Sequence, residues 1–146
     1  MLSLYSDATF DSNLKMAVTA TLILDNDGYC RTFFPAVYGG VRSSIHAELL
    51  GVCQSLQWVA DNEPEAEIQI LCDNLSIAER ISRYPEDRRV LNGSPANLWF
   101  AVFNLLDKLQ RPIVMHISSH QSAHNPNKTC DLLCGHIMRY LRMAQA

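Results

Sequence analysis

The spacing of apolar residues changes partway along this chain, and that change limits the folds open to it. Leu2 to Ser6 alternates apolar and polar residues and stops at Asp7, the pattern of a short strand with an acid at its exit. Ala17 to Leu24 is rich in β-branched residues, and Asp25-Asn26-Asp27-Gly28 is a turn sequence that leads into a third strand, Tyr29 to Tyr38. Past Gly39-Gly40 the period lengthens. Leu49, Cys53, Leu56 and Ala60 recur at helical spacing, which predicts a helix from about Ile45 to Ala60, with Ser43 and Ser44 as candidate caps and Glu48 in its first turn.

From there strands and helices alternate. Glu67 to Cys72 is an apolar run closed by Asp73-Asn74, read as a buried strand with an acid at its carboxyl end. Leu75 to Arg83 is a short helix stopped before Pro85, and Ser94-Pro95 supplies a cap and a first-turn proline for a helix through about Leu109. Pro112 to Ser118 reads as a strand, and Asn125-Pro126 opens a last helix through about Met143 with Leu133, Ile137 and Tyr140 on one stripe. The order βββαβααβα predicts an α/β fold: a mixed five-stranded sheet, three strands antiparallel and two parallel, flanked by helices.

At 146 residues and 48% apolar content, the chain matches one domain spanning residues 1–146. Its longest apolar stretches, Ala17 to Leu24 and Leu98 to Leu106, fall short of the roughly 18–20 residues that span a bilayer, so no membrane partner is expected. Met1 to Asp7 lacks the basic start of a secretory signal, which makes the cytoplasm the expected location. Five cysteines (Cys30, Cys53, Cys72, Cys130, Cys134) are an odd number lying mostly in apolar runs, and they read as reduced thiols. A net charge of −3 is unusual for a protein that binds a polyanion, but it loses its force if several carboxylates are committed to cations.

Four acids stand at positions a metal site could use. Asp7 and Asp73 close strands, Glu48 and Asp131 lie early in helices, and all four converge if the first and fourth strands are neighbours. Carboxylates packed closely repel one another and take up protons unless cations sit among them, and hard oxygen ligands suit magnesium or manganese. Two such ions about 4 Å apart can hold both the attacking water and the leaving oxygen of a phosphodiester. Singly, each acid is an ordinary helix-end or strand-end residue; the set carries the argument.

The segments Leu4-Tyr-Ser-Asp7-Ala-Thr9, Ser43-Ser-Ile-His-Ala-Glu48-Leu-Leu, Ile70-Leu-Cys-Asp73-Asn74 and His120 to Asp131 resemble, in order and interval, the four acidic motifs of type 1 ribonuclease H. Asn97-Leu-Trp99 adds to the resemblance, which runs from Leu2 to about Met143. It implies a metal-dependent endonuclease that hydrolyses the RNA strand of RNA:DNA hybrids, leaving a 5′-phosphate and a 3′-hydroxyl. Asp7, Glu48, Asp73 and Asp131 would hold two Mg2+ ions, with Mn2+ as a substitute, and His120 would assist proton transfer or product departure. Ser43, Ser44, Asn74 and Asn127 would contact substrate, and a replication or reverse-transcription protein is a candidate partner.

The chain also departs from that pattern. Ala8 to Lys15 lacks the glycines that usually follow the first acid, and Ser43, Ser44 and Ile45 stand where asparagines are frequent. The interval from His120 to Asp131 is about one residue long, which leaves His124 as an alternative to His120. Arg80, Arg83, Arg88 and Arg89 around Pro85 form only a short basic run for tracking phosphates. Three competing readings follow: a zinc site from His120, His124, Cys130, Cys134 and His136; a nuclease of the same fold acting on DNA junctions or double-stranded RNA; and a non-catalytic nucleic-acid-binding module.

Overall fold

The computed structural model describes residues 1–109, 112–117 and 125–145. Five strands, β1 (Leu2–Asp11), β2 (Met16–Leu24), β3 (Cys30–Gly39), β4 (Ile68–Cys72) and β5 (Ile113–His116), form one sheet in the order β3-β2-β1-β4-β5. The first three pair antiparallel, and β1, β4 and β5 run parallel, as the change of period implies. Four helices complete the fold: α1 (Ser44–Asn62), α2 (Leu75–Arg83), α3 (Ala96–Lys108) and α4 (Pro126–Ala144).

Local chemistry sets these elements. Asp25 closes the β2–β3 turn by accepting hydrogen bonds from the backbone of Asp27 and Tyr29, both at 3.0 Å, and Gly28 takes a φ of +82°, which costs glycine nothing. Strand β2 shows why both faces of the sheet must be covered. Val18, Ala20 and Leu22 pack against Cys130, Cys134 and Met138 of α4, while Ile23 joins the larger core with Leu49, Val52 and Leu56 of α1 and Trp99 and Val102 of α3. Tyr84 stacks on Phe103 at 4.5 Å and closes that core beside α2.

Several expectations are corrected. Strand β1 does not stop at Asp7: pairing with β2 continues from Asp7 opposite Ala20 to Asp11 opposite Met16. Apolar-polar alternation fades there because residues 8–11 are only partly buried, although the backbone stays extended. Pro95, not Ser94, is the N-cap of α3; the Ser94 hydroxyl instead accepts from the Trp99 indole at 2.7 Å and donates to the Leu91 carbonyl. On α4 the buried line is Cys130, Cys134 and Met138, with Leu133 and Ile137 on its flank, whereas Tyr140 is 62% exposed. With Met138 facing the sheet, Tyr140, two residues further on, is rotated about 200° around the helix and faces outward.

Strand β3 is an edge strand with β2 as its one neighbour. Phe33 and Val37 are exposed on it, and Pro35 sits midway between them, opposite Ala20. Among the described residues no helix is long and apolar enough to cross a membrane.

Candidate metal centre

The parallel pairing of β1 with β4 ends at Tyr5 opposite Leu71. Two residues further along each strand stand Asp7 and Asp73, so the register delivers both carboxylates to one level where the two strands part. Helix α1 lies close over β1: a methyl group built on Gly51 would sit 3.5 Å from the Asp7 carbonyl. Glu48, one turn before Gly51, therefore reaches the same place. Because α1 begins at Ser44, Glu48 lies beyond the first turn, contrary to expectation, and is not there to complement the helix dipole.

Carboxylate oxygens of Asp7, Glu48 and Asp73 come within 4.8 Å of one another. Asp131, exposed on α4, is outside that group of three but near enough for its charge to act on the Asp7 carboxyl. Burial first, then the charges of Asp73 and Asp131, push Asp7 up to about 7, against a hydrogen bond from the Ala8 amide. Glu48 is raised well above the carboxylate range by burial and then by Asp7 and Asp73. Asp73 is raised by burial, with Asn127 and His116 pulling the other way. Three buried or half-buried acids each resisting ionisation form a set of hard oxygen donors that a divalent cation would relieve, so the residues present fit magnesium or manganese.

They do not fit zinc. Cys130 and Cys134 are fully buried in the apolar cluster under α4, and burial pushes the Cys130 thiol up to about 12 and the Cys134 thiol higher still. The Cys134 thiol donates to the Asp7 carbonyl at 3.5 Å, and His136 points outward, edge-on to Tyr140. With both thiols packed into that cluster and His136 turned away from them, these three residues do not converge on a common point, and among the described residues the ligand group is Asp7, Glu48 and Asp73 instead. The other two members of the zinc reading, His120 and His124, lie outside the described residues, as does the accessory role expected of His120.

The remaining expected site residues divide. Ser43 caps α1, its hydroxyl accepting from the His46 amide at 3.0 Å and donating to the Gly93 carbonyl, so that side chain is committed to structure. Ser44 is exposed beside it. Asn74 caps α2 by accepting from the Ile77 amide at 3.0 Å. Asn127 is buried behind Asp73, and its Nδ2 donates to Asp73 Oδ2 at 3.4 Å. In the basic run, Arg80 and Arg89 both bind Asp87, at 2.8 and 2.7 Å, and Arg88 lies 5.6 Å from the Tyr84 ring centre, while Arg83 is exposed.

Two residues escaped the sequence reading. His116, opposite Cys72 at the end of β5, sets Nε2 3.1 Å from the Asp73 carbonyl. Asp87 binds two of the four arginines in the basic run with its single negative charge. Only the strand register exposes the first, and only the fold of the loop after α2 exposes the second.

No protein-family model and no curated protein matches the sequence. Solved structures do. Ribonuclease H1 from the halophilic archaeon Halobacterium salinarum superposes with a TM-score of 0.76 at 16% identity, over 94% of this chain and 97% of that one. The N-terminal RNase H domain of Rv2228c from Mycobacterium tuberculosis, solved as a fusion with maltose-binding protein, gives 0.76 at 15% identity, over 99% and 98%. A foamy viral protease-reverse transcriptase in complex with an RNA/DNA hybrid gives 0.74 at 15% identity, over 92% of this chain and 19% of that one. Strand order, the acids where β1 and β4 part, and these superpositions agree: the chain has the fold of the type 1 ribonucleases H.

Proposed function

We propose that the chain is a metal-dependent endonuclease that hydrolyses the RNA strand of RNA:DNA hybrids. One observation carries this reading: oxygens of Asp7, Glu48 and Asp73, from three separate elements, lie within 4.8 Å of one another at the carboxyl end of the parallel strands. A fold needs no such arrangement, since each acid there stands against its neighbours' charge. The foamy viral chain of like fold, solved with an RNA/DNA hybrid, supports the choice of substrate.

In this reading Asp7, Glu48, Asp73 and Asp131 would hold two Mg2+ ions when substrate is bound, with Mn2+ able to replace them. Such ions offset phosphate charge and acidify water, which is the chemistry an in-line attack on a phosphodiester requires. The chain's own residues prepare for this. Asp7 and Glu48 keep protons that a free carboxylate would have lost, and cations would displace them, so loading the site would release protons near neutral pH. Ser44, exposed one turn before Glu48 at the amino end of α1, would meet the substrate backbone. His120 would carry a proton to or from the leaving group.

A gel assay with labelled RNA:DNA hybrid, double-stranded RNA and double-stranded DNA, each with and without Mg2+, tests the proposal. The expected result is magnesium-dependent cutting of the hybrid alone, giving 5′-phosphate ends, and no cutting by Asp73→Asn. Cutting that persists in that variant, or a hybrid left intact by the wild-type protein, overturns it.

A further inference from the structure

Asn127 is the second residue of α4 and only 2% exposed, so a duplex substrate lies beyond its reach. Its backbone is held separately, the amide donating to Asn125 Oδ1 at 2.9 Å within the helix cap. The side chain points into the site from behind: Nδ2 donates to Asp73 Oδ2 at 3.4 Å, and Oδ1 is buried with no partner among the described residues. A residue kept there for packing would be apolar. Leucine has nearly the same shape and would fill the space without stranding a buried carbonyl, so the amide must be explained by its other end. At that end it supplies the strongest of the influences that draw the Asp73 carboxyl back toward ionisation against its burial. His116 Nε2, 3.1 Å from the Asp73 carbonyl, fixes the backbone of the same residue from the β5 side.

We propose that Asn127 is a positioning residue that holds the Asp73 carboxylate toward Asp7 and Glu48 and so prepares it for a divalent cation. This rests on the metal-dependent reading above and adds to it the group that aims one of the ligands. Partners of this kind, which orient a ligand without touching the ion, commonly change metal affinity about 10- to 100-fold when removed.

The test is a Mn2+ titration of the full chain without nucleic acid, followed by electron paramagnetic resonance, for the wild type, Asn127→Leu, Asn127→Ser and Asp73→Asn. Asn127→Leu keeps the packing and loses the donor; its Kd for Mn2+ is expected to rise about tenfold or more while its Tm in EDTA stays at or above the wild-type value. Hybrid cleavage should show kcat reduced and KM unchanged. Asn127→Ser, too short to reach Asp73, should behave alike and serves if the leucine variant does not fold. A Kd within twofold of wild type in the folded variant, with Asp73→Asn losing Mn2+, overturns the inference alone. A wild-type chain that binds no Mn2+, or an Asp73→Asn variant that binds it normally, overturns the metal reading and this inference together.

Discussion

Asp7 is held far from its ordinary titration range. Unfolded, its carboxyl loses its proton near pH ~4; folded and free of cations, it keeps the proton up to about 7, through burial and then the charge of Asp73. Between those values the native state binds more protons than the unfolded one, so the cation-free protein loses stability as pH rises, on the order of 1 kcal/mol per pH unit for each such group. Thermal melts in EDTA should therefore show Tm falling from pH 5 to pH 8, and saturating Mg2+ should remove that slope by taking the place of the protons. Asp7→Asn should flatten the slope in EDTA, raise Tm at pH 8 by roughly 2–6 °C, and abolish hybrid cleavage. A flat wild-type profile in EDTA would remove the electrostatic account. Asp7 and Asp73 are legible in the sequence because each closes an apolar run, while Glu48 and Asp131 stand out through the resemblance of their segments to the family's acidic motifs. Their supports are not: Asn127 and His116 touch Asp73 from α4 and β5, and no spacing rule links residue 73 to residues 116 or 127 without the strand register.

Helix α4 shows how far periodicity reads an element. Its span, its Asn125 cap and its first-turn proline follow from local residues, and so they agree with the structure. Which stripe faces inward does not follow, because Cys130, Cys134 and Met138 repeat at helical spacing just as Leu133, Ile137 and Tyr140 do, and only the fit to Val18, Ala20 and Leu22 decides between them. Met138→Ala should cost about 2–4 kcal/mol in urea unfolding, and Tyr140→Gln less than about 0.5 kcal/mol. Equal costs would mean that the helix is rotated from the orientation described. The length of β1 was hidden for a related reason. Its last residues are kept extended by β2 across the hairpin rather than by burying a face of their own.

At the scale of the whole molecule, charge decides how tightly a polyanion is held. With a net charge of −3 the chain has little basic surface to spare, yet Asp87 binds two of its arginines, Arg89 and Arg80, which hold that carboxylate well below its usual range. In an Asp73→Asn background that leaves the hybrid uncut, Asp87→Asn should tighten hybrid binding severalfold at low salt and steepen the dependence of log Kd on log salt by about 1–2. Fluorescence anisotropy across a salt series checks it, and an unchanged slope would mean that this run lies off the substrate path. The outer rim of β3 governs a different kind of encounter. Its free main-chain groups invite another strand, and Phe33 and Val37 would reward one that docked, but Pro35 offers no hydrogen to donate there. Pro35→Thr should leave the monomer folded yet make concentrated solutions scatter light and bind thioflavin, so this one ring stands between a storable protein and a growing fibril.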